Sequence, residues 1–225
     1  MPYFLTAAAI VTNVIAYLLP WQVPRDTRTP FGYWFEVLVC TAPLAVATAG
    51  WLALDPNGAR ADLPSSHPTV LWLSIWLVVA VAIGIVVIWS SVINMRALVS
   101  GDLAFIAGPL PPHRAAARSW SVVVSVLSEE VIFRGVPAGI GSYQTLAMLV
   151  GAVAFVSGHH MVRGSQDQMR WRVVGNQMGA ATLLGGLVML SGSVWPAVTA
   201  HTIANIPHIA LDFQRAKRIK QSLVT

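Results

Sequence analysis

The chain is short of charge. Asp, Glu, Lys and Arg make up 10% of its 225 residues, where soluble domains carry about 25%. So few ionisable groups cannot clothe a water-facing surface, and a soluble globular class is excluded. A hydrophobic content of 56% and a mean hydropathy of +0.66 make lipid the solvent for most of the chain. Cysteine is nearly absent. Cys40 stands alone, which rules out an internal disulfide and a thiolate metal cluster; in its apolar segment it reads as a packing residue. Acidic residues number 9 against 14 Lys and Arg, for a formal charge of +5. That excess does not imply nucleic acid as a partner. The basic residues are scattered between apolar segments and form no basic, aromatic-interleaved stretch. The opening "MPYFLTAAAIVTNVIAYLLP" lacks the basic region of a signal peptide and reads as a first membrane span. The closing "QSLVT" is not a prenylation box.

What is there is a series of apolar runs. A membrane helix needs roughly 20 mostly apolar residues. Seven stretches qualify, at about 3–20, 33–54, 69–94, 117–137, 142–162, 174–191 and 194–212. The breaks between them carry turn chemistry, such as "DPNGARADLPSSHP" and "GPLPPH". The segment "DLAFIAGPLPPH" is apolar but too short and Pro-rich to span, and suits an interfacial or re-entrant position; paired with part of the long third run it raises the count to eight. The expected fold is an all-α polytopic transmembrane helix bundle of seven to eight spans. It forms a single integral-membrane bundle over residues 1–225, with no internal repeat. With seven spans, every Lys and Arg except Arg60 and Arg134 falls on one side. The positive-inside rule makes that side cytoplasmic, in a cell membrane, with the C-terminus inside. In the sixth run, Gly175 and Gly179 form a small-xxx-small pair suited to close helix contact.

Against this background the charges inside the spans stand out. An ionisable residue costs about 2.5–3.5 kcal/mol at the centre of a membrane helix and usually faces a cavity or a partner. The stretch "SVLSEEVIFRG" holds Glu129, Glu130 and Arg134. Adjacent helical residues point about 100° apart, so the two carboxylates cannot share one partner. Glu130 and Arg134 are spaced i,i+4 in the favourable order, an arrangement that a structural ion pair explains. It leaves Glu129 with only Ser125, one turn back, near it in sequence. Further along, "FVSGHH" sets Phe155 and His159 one turn apart, and "HTIANIPH" places His201, Asn205 and His208 on one helical face. A lone buried His is more often a hydrogen-bonded structural residue, but polar clusters on three apolar helices weaken that reading. A carboxylate with His can activate water, and His with Asn can stabilise an oxyanion. The same groups suit a proton path, and two His with one or two Glu meet a zinc ligand count. Spacing alone does not choose among these.

Taken in order, "EEVIFR", "FVSGH" and "HTIAN" fit EExxxR, FxxxH and HxxxN. Together they resemble the CPBP family, which groups CAAX prenyl endopeptidases of the Ras-converting type with bacteriocin-processing and bacteriocin-immunity proteins. The resemblance covers roughly residues 117–212, the motif-bearing core. It implies an intramembrane endopeptidase of α-helical fold with a glutamate-activated water and no cofactor, a metalloprotease with zinc being the alternative. By position, Glu129 would be the general base and His159 would help orient the water. His201 and Asn205 would form the oxyanion site, Glu130 and Arg134 would shape the motif helix, and Phe155 would pack beside His159. The implied partners are membrane lipids and a lipidated, for example prenylated, or membrane-embedded peptide or protein. A non-catalytic membrane scaffold or immunity-type protein is the alternative. The span map sets His159 towards the cytoplasmic end and His201 towards the outer end of their helices, so a shared site requires tilt or stagger.

Overall fold

The computed structural model describes residues 70–91, 93–138, 143–162 and 171–222, with several helical positions between 34 and 49. The first predicted span and most of the second lie outside the described residues. Those described are organised as helices, with no strand among them. In chain order they are α1 (Val70–Ser90), α2 (Met95–Ser100), α3 (Asp102–Ile106), α4 (Pro112–Glu130), a π-helical turn (Val131–Gly135), α5 (Val136–Ala138), α6 (Gln144–Val162), α7 (Trp171–Ser191) and α8 (Trp195–Ser222).

The solvent of this fold can be read from α1. It is apolar throughout, yet only Ala80 and Gly84 are buried on it. Val70, Val78, Val86 and Trp89 stand exposed. A helix apolar on every side and bare over most of it is stable only against an apolar medium. Among the described residues, α1 and Val173–Ser191 of α7 are long and apolar enough to cross a membrane; Gln144–Ser157 of α6 is apolar but shorter. The predicted runs near 117–137 and 194–212 are also helical, but α4 and α8 are diluted by the polar residues of the motifs. The all-helical class is therefore plain, while the count of seven to eight spans is not established by these helices.

Element boundaries have local causes. Ser90 and Ser91 turn their hydroxyls back on the carbonyls of Val87 and Ile88, closing α1. Asn94 Oδ1 accepts from the backbone N–H of Arg96 and Ala97 and caps α2. Pro111 and Pro112 open α4, where a missing N–H costs nothing. The π turn has its reason in Pro137. Proline has no N–H, and its ring would collide with the carbonyl four residues back, that of Phe133. The chain widens instead, and Val136 N–H reaches the carbonyl of Val131, five residues back.

Two glycines fix how the helices meet. A Cβ at Gly151 of α6 would lie 2.5 Å from the Phe133 carbonyl oxygen, the one that Pro137 leaves without its helical donor. Only glycine lets α6 come up against the π turn there. On α1, a Cβ at Gly84 would lie 2.8 Å from Ile203 Cβ and 2.9 Å from the Ala200 carbonyl of α8. Gly175 and Gly179, which the sequence offers as a contact pair, would each have open space around an added Cβ; a small residue permits close approach but does not supply the neighbour. The core sits between α1, α7 and α8, built on Ala80, Leu184, Leu187, Val188, Ala197 and Ala200.

The 28 residues of α8 run about 42 Å at 1.5 Å each, beyond a hydrocarbon core of about 30 Å. Its distal part fastens the segment "DLAFIAGPLPPH". Arg215 donates to the carbonyls of Gly108 (2.8 Å) and Ala107 (3.1 Å), and Arg218 to that of Gly101 (3.2 Å). Buried Asp212 takes Arg118 of α4 at 2.6 Å and Arg215 at 3.4 Å. Phe105 and Ile106 of α3 point their apolar surface outward.

Candidate active site

The last turn of α4 delivers two carboxylates into the interior. Glu130 is fully buried, and its Oε1 is shared by two donors. Arg134 Nη1 lies 2.6 Å away, and His201 Nδ1 of α8 also lies 2.6 Å away. The i,i+4 ion pair expected from spacing is thus present, and it persists through the π turn. A carboxylate only accepts, so Nδ1 of His201 donates. That fixes the ring and leaves Nε2 as the nitrogen available to another group. The Arg134 guanidinium lies over the Phe155 ring, 4.8 Å from its centroid. Phe155 in turn meets Phe133 edge-on at 5.6 Å and His201 at 6.0 Å. Four residues of three separate motifs, Glu130, Arg134, Phe155 and His201, therefore form one packed cluster.

Glu129 is different. It is 7% exposed, yet among the described residues it makes no hydrogen bond or ion pair, and Ser125 does not reach it. Burying a carboxylate without a partner is costly. Asn205, one turn beyond His201, gives one N–H of Nδ2 to the His201 carbonyl at 3.1 Å. Its second N–H has no such commitment within the helix. His159 belongs to α6 one turn after Phe155, but its side chain lies outside the described residues, as does that of His160. Continuity of α8 through Pro207 keeps His208 on the face of His201 and Asn205.

The stagger expected from the span map persists: His159 lies fifteen residues into α6 and His201 six residues into α8, about 22 and 9 Å from the same end of the bundle. Glu130 lies eight residues before the end of α5, about 12 Å from that end. Phe155 lies eleven residues into α6, about 16 Å from that end, and still touches His201.

Beside the cluster lies a cavity of about 280 Å3. His201, Asn205 and His208 line it from α8, Phe155 from α6, Asn176 and Gln177 from α7, and Ser90 and Ser91 from the end of α1. Sequence reasoning missed the contributions of α1 and α7. The signal was present as an Asn-Gln pair inside an apolar run, "GNQMGAATLL". Asn176 Nδ2 donates to the Ser90 carbonyl at 2.8 Å, a tie between α7 and α1. Among the described residues no three His, Cys, Asp or Glu side chains group as metal ligands. The bond linking His201 to Glu130 was likewise not foreseen, since spacing had closed the Glu130–Arg134 pair upon itself.

Residues 112–207 match a family model described as type II CAAX prenyl endopeptidase Rce1-like. The match spans all three motifs. No curated protein matches the chain, and no solved structure does.

Proposed function

Because residues 112–207 match the model of the Rce1-like type II CAAX prenyl endopeptidases, we propose that this chain is a multi-pass intramembrane endopeptidase of that family that cleaves a lipidated or membrane-embedded peptide with a glutamate-activated water. The observation that carries this reading is the contrast between two neighbours. Glu130 is occupied by Arg134 and His201, while Glu129 is buried and has no partner among the described residues. A carboxylate in that position is suited to hold a water and take its proton. His159, one turn beyond Phe155, orients that water. The resulting hydroxide adds to the peptide carbonyl. His201, whose Nδ1–H is held by Glu130, presents Nε2–H in its doubly protonated form to the oxyanion, and the free N–H of Asn205 adds a second donor. Collapse of the tetrahedral intermediate returns the proton to the leaving amine and releases two peptides. Glu130 and Arg134 act by positioning His201 and Phe155.

A second reading is favoured by the same cluster. Because Glu130 Oε1 ties Arg134 to His201 of another helix, the motif can serve as a structural staple in a non-catalytic scaffold. The two readings separate on purified protein assayed against a prenylated and a plain membrane peptide. The endopeptidase reading expects cleavage that drops at least about 100-fold in Glu129→Ala and in His201→Ala. Hydrolysis at the original rate in both variants would falsify it.

A further inference from the structure

Between α1 and α4 the chain forms an elbow of two helices, α2 and α3, each too short to cross a membrane. Gly101, at a φ of 82°, makes the bend. One side of the elbow is buried. Leu98, Ala104 and Leu110 turn inward, and Leu110 packs with Ala115 of α4 and Ala216 of α8. The outward side is apolar too: Val99, Phe105 and Ile106 are 81%, 72% and 78% exposed. Apolar side chains gathered in this way mark a surface that meets lipid or protein.

The level of the elbow decides between them. Asn176 of α7 bonds to the Ser90 carbonyl of α1, and His208 of α8 lines the same cavity as both, so the three lie at one height. Trp171, the exposed first residue of α7, is five residues beyond that height, about 8 Å. An exposed Trp at the end of an apolar helix marks the edge of the hydrocarbon. Arg215 and Arg218, which hold the elbow's carbonyls, are seven and ten residues beyond His208, about 11 and 15 Å. The elbow therefore sits roughly 3–7 Å past the Trp171 level, within a headgroup layer about 5–8 Å deep. Charge agrees with this. Arg96 and Lys217 are exposed, and the Arg218 guanidinium lies 5.2 Å from the Phe105 ring centroid. The acidic residue of the elbow, Asp102, already accepts from the Ser100 hydroxyl at 2.6 Å.

We propose that the α2–α3 elbow is an interfacial anchor for anionic phospholipid: Val99, Phe105 and Ile106 enter the boundary between headgroups and acyl chains, and Arg96 and Lys217 take the negative headgroups. Cations beside an apolar face give such a segment its preference for an anionic leaflet. Ser91 and Ile93, which lead into α2, line the cavity beside His201. The anchor thus fixes the level at which that cavity meets the leaflet. It needs a lipid-embedded bundle and is independent of any peptidase activity.

The test uses the full-length protein in liposomes, in a Cys40→Ser background, with a bimane fluorophore on Ile106→Cys. Phosphatidylcholine brominated near the top of its acyl chain is expected to quench the label at least about twofold more than the same lipid brominated near the chain end, as an interfacial depth requires. Brominated phosphatidylglycerol is expected to reach half-quenching at a mole fraction about fivefold lower than phosphatidylcholine. Arg96→Gln combined with Lys217→Gln should remove that preference and leave the shallow quenching. Absence of quenching by both brominated phosphatidylcholines overturns the anchor, since water or protein then covers the face. Stronger quenching from the chain end overturns it as well, since the segment is then re-entrant. Equal response to the two headgroups, or a preference that survives the double substitution, overturns the anionic assignment. Should Ile106→Cys fail to fold, the same criteria applied to Val99→Cys decide. Cleavage is not measured, so failure here leaves the proposed peptidase activity standing.

Discussion

Glu129 and Glu130 are covalent neighbours in opposite circumstances. Glu130, sealed from solvent, holds the buried Arg134 and the partly exposed His201, so its loss and the loss of Arg134 should show first as instability. Removing one member of a buried ion pair typically costs about 3–5 kcal/mol, because the other charge is left uncompensated. Arg134→Ala is expected to lower the unfolding free energy by an amount of that order in detergent. Arg134→Lys should recover only part of it, since a point charge cannot both pair with Glu130 and lie as a plane over Phe155. Unfolding curves that superimpose for the unaltered protein and Arg134→Ala would contradict this picture. At this scale the sequence was readable in part. The i,i+4 rule found the Glu130–Arg134 pair, since both partners sit on one helix. It could not find the bond from His201 to Glu130, which crosses 71 positions and depends on how two helices are levelled.

Among the elements, the turn between α4 and α5 sets the site's geometry. Pro137 widens it, the Phe133 carbonyl is left without its usual donor, and Gly151 of α6 closes on that carbonyl. The neighbour is backbone and cannot swing away, so Gly151→Ala should push α6 outward at the level of Phe155. Overpacking of this kind costs about 1–3 kcal/mol. Differential scanning of the purified variant checks it: a lowered unfolding temperature is expected, and an unchanged one contradicts the close approach. The helices themselves were legible as apolar runs. Their meeting points were not. Gly175 and Gly179 looked like a contact pair and face open space, while Gly84 and Gly151, each preceded four residues back by an alanine (Ala80, Ala147), make the close approaches.

For the whole molecule, we propose from the distribution of Lys and Arg that the distal part of α8, with Arg215, Lys217 and Arg218, faces the cytoplasm. Cysteines introduced one at a time in a Cys40→Ser background should be unreactive towards an impermeant thiol reagent in intact cells at position 217, and reactive at position 60. The reverse pattern contradicts the orientation. The latch of Arg118, Asp212 and Arg215 that ties α8 to α4 is half open to solvent at Arg118, so it is expected to matter less than the buried cluster. Asp212→Asn should leave cleavage intact while loosening residues 101–110, visible as faster amide exchange there; protection identical to that of the unaltered protein would argue against the latch.

The central claim is that Glu129, and not its paired neighbour, activates the water. Single-turnover cleavage of a membrane peptide by purified Glu129→Gln tests it most directly, because the substitution keeps shape and removes only the base. The account predicts a rate lower by about 10²–10⁴-fold, with an unfolding temperature matching that of the unaltered protein. Cleavage at the original rate by a correctly folded Glu129→Gln contradicts it.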